Sequence, residues 1–304
     1  MSSNPPATGL DRRAVLAISF TVLCWASAFV AIRSAGEHFS PGAMALGRLL
    51  AGSVVLLVIA LVTRSKWPPK QAWPGIVISG LLWFGGYMVM LNWGEREVDA
   101  GTAAMVVNIG PILIALLGGW LLKEGFPSRL MAGMAVSFAG AIIVGVSMSS
   151  GGSSSVLGVV LCLLAAVAYA IGVVSQKPAL KHASAVQVTT WSCVVGTVAT
   201  LPFTPNLIDD VQTAPLGATL SVAYLGVFPT ALAFITFSYA LRRTTAGKLG
   251  ATTYAAPALV VLMSWLLLGE VPAWLTLVGG VVCLAGVAVA RSRPKVPAKV
   301  PAGT

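Results

Sequence analysis

Charge is what this chain has least of. Asp, Glu, Lys and Arg make up 9% of its 304 residues, while 57% are hydrophobic. A water-facing surface takes roughly 25% charged residues, so a soluble globular fold is excluded. Histidine is nearly absent, with 2 in the chain, both at the edges of apolar runs. The 4 cysteines (Cys24, Cys162, Cys193, Cys283) form no C-x-x-C pair and all fall inside such runs. There they read as small packing residues, in preference to disulfide or metal partners. No apolar run carries paired carboxylates or a His/Cys cluster, which leaves an enzyme without its chemistry. No G-x-G-x-x-G or P-loop is present either, so no nucleotide, and no other cofactor or metal, is expected.

What the chain has in abundance is apolar length, with a mean hydropathy of +0.89. Ten runs recur, near 14–32, 43–62, 74–91, 102–122, 130–148, 156–175, 186–203, 216–241, 249–268 and 273–290. Each approaches the roughly 20 residues that cross a bilayer as a helix. A span in lipid must satisfy its own backbone, and these runs lack the alternation of a barrel strand. The expected fold is an all-α membrane protein of ten transmembrane helices. Arg12 and Arg13 before the first run, and Ala26-Ser27-Ala28 within it, have the outline of a cleaved signal. Its length, and the repeat described below, favour a retained helix.

Net charge is +10, and its distribution matters more than its sum. With the N-terminus inside, only Arg33 and Arg96 fall in loops on the far side and only Arg48 inside a run. The other 16 of 19 basic residues face the near side. This asymmetry places both termini in the cytoplasm and speaks for topology, with no nucleic-acid partner implied.

Two stretches share a layout. In "NIGPILIALLGGWLLKEG", Pro111 precedes Glu124 by 13 residues, and in "YAAPALVVLMSWLLLGEV", Pro257 precedes Glu270 by 13. An offset of 146 also matches Gly80 with Gly226, Gly133 with Gly279, and Gly140 with Gly286. An offset of 144 matches Trp25 with Tyr169, Arg33 with Lys177, and His38 with His182. The chain therefore divides into a tail (1–13), a five-helix repeat (14–148), a Gly/Ser linker (149–155), a second repeat (156–290) and a basic tail (291–304). Five is odd, so the second repeat starts on the opposite side and is inverted, the plan of many secondary transporters.

Pro111 and Pro257 are expected near the middle of helices 4 and 9, freeing the carbonyls of Val107 and Thr253. They read either as packing kinks or, given polar Asn108, Thr252, Thr253 and Tyr254 nearby, as gating kinks beside a cavity. Glu124 and Glu270, at opposite interfaces, read as frame residues that pair with backbone or basic groups.

The doubled pattern of Pro, Glu and paired Gly resembles the EamA domain of the drug/metabolite transporter superfamily. So does the opening "CWASAFVAIRSA…SPGAMALGRLLAG". The likeness spans nearly the whole chain, and is strongest to ten-helix bacterial amino-acid exporters of the YddG type. The second repeat departs from it, with Ser192 where the first has Arg48. The resemblance implies a central cavity lined by helices 1, 3, 4, 6, 8 and 9. Candidate substrate-binding residues there are Trp25, Ser27, Trp83, Tyr87, Asn92, Asn108, Tyr169, Phe237 and Tyr254, with Phe234 and Tyr239 beside them. Rings suit an apolar side chain, and amides and hydroxyls suit an amino-acid backbone; core packing or an interfacial belt is the alternative for each ring. Trp67, Trp73, Trp93 and Trp274, at span ends, read as belt. Arg48, about 10 Å into helix 2, is open between a substrate role and snorkelling to the interface.

The expected function is export of small metabolites, amino acids first, by a multi-pass protein of the bacterial inner membrane, as a monomer or weak homodimer. No acid falls at mid-span by these boundaries, so a facilitator is expected, with a proton-coupled multidrug or metabolite antiporter as the alternative.

Overall fold

The computed structural model describes residues 12–98, 103, 106–148, 155–256, 258–259, 262–263 and 273–292, and among them there are helices and no strand. Pro257, Glu270, most of the linker and most of both tails lie outside these residues. Seven of the described helices are long and apolar enough to cross a membrane, and Gly110–Leu121 is a shorter apolar helix.

Helix ends follow from local chemistry. α1 runs over Arg12–Gly36 and α2 over Pro41–Val62. Pro41 sits in the first turn of α2, where its missing N–H was going to be unpaired in any case. α2 stops at Arg64, whose φ of 49° is left-handed, and the Ser65 N–H folds back to the Ala60 carbonyl at 2.8 Å. α3 (Lys70–Glu97) continues a turn and a half past the apolar run that announces it. Nothing in 92–97 breaks a helix, and Gly94 lets this end lie on Cys162 and Gly158. α4 (Gly110–Leu121) and α5 (Ser128–Met148) complete the first half.

In the second half come α6 (Val156–His182), α7 (Ala185–Thr213) and α8 (Leu216–Arg243). α9 is Ala246–Thr253 and α10 Trp274–Arg291. A capping box of Ser184 and Gln187 starts α7. The segment 204–213, expected as a loop, is the helical end of α7. Its Leu207 packs toward Gly47, and Asp210 accepts from the Ser40 N–H and hydroxyl at 2.7 and 2.8 Å.

The two halves meet through matched positions. On α5 and α10, Ser137 Oγ donates to the Cys283 carbonyl at 3.0 Å, and Cys283 Sγ to the Ser137 carbonyl at 3.4 Å. These residues are partners at the offset of 146, and a reciprocal contact between equivalent residues is what a two-fold axis between them produces. Gly133 lies on Gly286 and Ala290, while Gly140 lies on Gly279 and Cys283, so the two helices run antiparallel. A Cβ on Gly133 would stand 2.4 Å from the Ala290 nitrogen, too near for any side chain. Small residues let helices approach this closely where lipid offers no hydrophobic drive.

α2 and α7 repeat the lesson. Gly226 of α8 lies on the Arg48 carbonyl and Ala51 of α2, and Gly80 of α3 lies on the Ser192 carbonyl and Val195 of α7. The members of each pair correspond under the repeat offsets. α3 packs along α6 and α8 along α1, again as symmetry partners.

Candidate substrate site

Two wide turns shape the middle of the bundle. α3 is π-helical over Gly80–Gly86 and α8 over Gly226–Leu232, at matched places. A π turn lengthens the hydrogen-bond ring, re-aims the side chains it carries and is frequent at functional sites. Trp83 and Phe84 ride on the first, Pro229 and Thr230 on the second. The carbonyl of Pro229 is taken by Trp25 Nε1 from α1 at 3.1 Å.

Around these turns an aromatic column forms. Trp25 lies 5.2 Å from Phe237, 5.7 Å from Phe234 and 6.3 Å from Trp83 between ring centres. Trp83 in turn lies 4.5 Å from Phe234 and 5.4 Å from Tyr169, and Tyr169 5.6 Å from Tyr87. Five of the sequence candidates, Trp25, Trp83, Tyr87, Tyr169 and Phe237, are thus brought together from four helices in both repeats. Trp83 and Phe237 are fully buried, while Trp25 and Tyr87 are half-buried. Tyr169 rests against Gly110 at the start of α4, where a side chain would meet its ring at 2.7 Å.

The floor of the column is a break in the fourth helix. Residues 106–107 are helical, Asn108 and Ile109 form a turn, and α4 restarts at Gly110. Pro111 therefore stands in the first turn after this interruption, where it needs no N–H partner, and Ile109 before it keeps helical dihedrals of φ −67° and ψ −28°. The Asn108 carbonyl receives the Tyr254 hydroxyl at 2.7 Å. Tyr254 ends α9 and is the partner of Asn108 at the offset of 146, so the breaks are joined to each other.

Two other candidates have structural partners. Ser27 Oγ pairs with Tyr224 Oη at 2.7 Å and with the Cys24 carbonyl at 2.8 Å, beside the Tyr224–Phe228 stack, apart from the column. Asn92 Nδ2 donates to the Pro41 carbonyl at 3.1 Å, tying α3 to the start of α2.

Arg48 is half-buried and turned inward. Its Nε donates to Thr230 Oγ1, on the α8 π turn, at 2.7 Å. Every buried side-chain nitrogen and oxygen among the described residues has a hydrogen-bond partner. The terminal nitrogens of Arg48 have no hydrogen-bond partner among the described residues. Tyr87 and Glu95 lie near enough to act on its charge. Sequence reasoning missed Glu95 by ending the third run at Leu91. The signal was available: Trp83, Tyr87 and Glu95 are spaced by four and eight residues, one face of a helix. Half-buried at the last turn of α3, Glu95 accepts no hydrogen bond among the described residues.

Glu124 answers to the frame, as expected. Its carboxylate accepts from the Ala246 N–H at 2.8 and 3.0 Å and from the Gly247 N–H at 3.4 Å, capping α9. Lys177 Nζ approaches it at 3.9 Å and also donates to the carbonyls of Leu241, at 2.6 Å, and Thr244. One end of α6, the end of α8, the start of α9 and the segment after α4 are so held in one polar knot.

Antiparallel matched helices, paired π turns and a broken helix around an aromatic column define a polytopic membrane protein of transporter type. A model of the EamA-like transporter family matches residues 12–146 and again 156–292, and the chain belongs to that family. An uncharacterized transporter of Bacillus subtilis, YdfC, is 35% identical over 270 residues, 88% of each chain. A probable terminal-alkyne amino-acid exporter of Streptantibioticus cattleyicolor is 34% identical over 281 residues, 92% of this chain and 94% of that one. A solved crystal structure at 22% identity shares the fold, with a TM-score of 0.76 over 91% of this chain and 96% of that one.

Proposed function

We propose that this protein exports small amphipathic metabolites, aromatic and neutral amino acids first, by alternating access of its two repeats. The observation that carries the reading is the aromatic column drawn from both repeats, bordered by Arg48, Tyr87 and the turn at Asn108. The relative named as an amino-acid exporter supports the substrate class. Rings take the apolar side chain and the polar border takes the backbone of the substrate. In this reading ten helices cross a bacterial inner membrane as two inverted repeats, 14–148 and 156–290, with both termini in the cytoplasm. The unit is a monomer or weak homodimer that works with a small-molecule substrate and lipid alone.

The mechanism proposed first is a facilitator, since the column itself carries no group that titrates near pH 7. Proton-coupled antiport is the second reading, and Glu95 beside Arg48 is the observation that favours it. Purified protein in liposomes decides between them. Under the first reading labelled phenylalanine or tryptophan equilibrates down its gradient, and an imposed pH gradient leaves the rate unaltered. Uphill accumulation driven by that gradient would establish the second, and no flux of any amino acid would sink both. Cysteine labelling from each side tests the topology, with an external C-terminus as the overturning result.

A further inference from the structure

The repeat builds one kind of groove twice, between the end of one second helix and the start of the other. At one end of the molecule the end of α7 meets the start of α2. There the chain fills its own groove: Phe203 lies on Gly42, Leu207 reaches toward Gly47, and Asp210 caps Ser40. At the other end α2 stops at Arg64, the chain leaves, and a cavity of about 270 Å³ stays open. Its walls include Leu57, Leu61, Arg64, Lys66, Trp67 and Trp191.

Matched positions show what changes between the two. The offset of 144 sets Gly47 against Trp191, Ile208 against Arg64 and Asp210 against Lys66. The filled groove thus carries an acid and an aliphatic where the open one carries two cations. Arg64 and Lys66 are exposed, and their side chains meet no acceptor or acid among the described residues. The inner wall is aromatic: Trp67 stands 4.1 Å from Trp191 and 5.7 Å from Trp73, and Trp73 5.9 Å from Trp191. Gln187 fixes the outer rim by donating to the Lys66 carbonyl at 2.7 Å. Leu57, Val58 and Leu61 continue the apolar wall along α2 with 38%, 53% and 77% of their surface exposed.

We infer that this groove holds one anionic membrane phospholipid, with its phosphate between Arg64 and Lys66 and an acyl chain along Leu57 and Leu61. The occupant follows from charge and shape together. A phosphate is the anion that two cations without a partner among the described residues attract at a membrane surface, and below them Leu61, Val58, Leu57, Val54 and Leu50 continue an exposed apolar wall along α2. In the other groove polypeptide takes the same place, which shows that the fold wants it filled. A lipid held between α2 and α7 touches both repeats at once and would brace them.

The test is native mass spectrometry of the detergent-purified chain with phosphatidylglycerol and phosphatidylcholine of equal chain length. The expected result is one phosphatidylglycerol retained in preference to phosphatidylcholine. The double variant Arg64→Gln/Lys66→Gln should lose that preference by roughly 30-fold, the effect of two basic groups at an anionic headgroup. Both residues are exposed, and an unchanged elution volume and helical content will show that the variant is folded. As a second measurement, phosphatidylglycerol with a brominated chain should quench tryptophan emission less in Leu61→Asp than in the parent. Equal retention of the two lipids, an undiminished preference in the double variant, or displacement of the lipid by inorganic phosphate alone would overturn the assignment.

Discussion

The two repeats agree in the frame and differ in much of the column, where Trp25 and Tyr169 are a matched aromatic pair but other positions are not alike. Ser137 and Cys283 are matched positions that each donate to the other's carbonyl, Gly80 and Gly226 each lie on a carbonyl of α7 and α2, and the matched pair Asn108 and Tyr254 share one hydrogen bond. In the column Trp83 is matched by Pro229 and Tyr87 by Ala233, and outside it Arg48 is matched by Ser192 and Glu95 by Leu241. Under the proposed alternating access, a two-fold frame is what lets the two halves exchange shapes. Under the proposed function, a single asymmetric substrate on the axis would need its cation and acid supplied only once. Both charged groups near the column come from the first repeat.

Four experiments break or sharpen this contrast. The largest effect is expected at the frame. Gly133→Leu forces a side chain into the Ala290 backbone, where overpacking costs about 1–3 kcal/mol or more. Loss of monodisperse protein on gel filtration is expected, and Gly279→Leu should do the same, since it is the matched residue. A well-folded variant at either position would show that α5 and α10 part more readily than the contact implies.

Next comes the site. Arg48→Gln removes a charge-assisted bond to Thr230 and the column's cation, and a loss of transport of at least tenfold follows from about 1.5–3 kcal/mol. Ser192→Ala, its counterpart, should leave the rate within about twofold, because that side of the symmetry carries no charge. Among the described residues its hydroxyl bonds the Ile76 carbonyl alone. Equal losses would erase the asymmetry argued above.

Glu95→Gln separates the two mechanisms. Under facilitated export, downhill flux persists and stays insensitive to a pH gradient. Under antiport, gradient-driven accumulation disappears while downhill exchange remains. Uptake into liposomes with a fixed substrate concentration reads both.

The smallest effect belongs to Glu124→Gln. It weakens the cap on α9 and the approach of Lys177 while keeping an acceptor in place, so about 1 kcal/mol of stability is at stake. A small fall in melting temperature with intact substrate affinity is expected. A loss of transport exceeding tenfold in protein of unchanged stability would move Glu124 from the frame to the mechanism.

Much of this protein could be read without coordinates. The helical membrane class follows from apolar length, the repeat from the doubled Pro–Glu spacing, and the role of Glu124 from its place at a helix end. The aromatic candidates were also legible, since Trp25, Trp83, Tyr87, Tyr169 and Phe237 do meet. These properties are local or self-referential: each is set by what lipid permits a segment to expose, or by one half of the chain resembling the other. Tertiary structure decided the rest. That the turn before Pro111 meets Tyr254, 143 residues further on, through the Asn108 carbonyl could not be read from either segment alone. The π turns exist in the sequence only as two matched glycines, and their effect on Trp83 and Thr230 appears once α2 and α7 press against them. The partner of Arg48, Thr230 on α8, appeared only in the packed bundle, and Glu95 counted as a loop residue until α3 was seen to continue past Leu91. Hydropathy determines which segments enter the membrane; polar groups inside it must find one another, and only the packed bundle determines which of them meet.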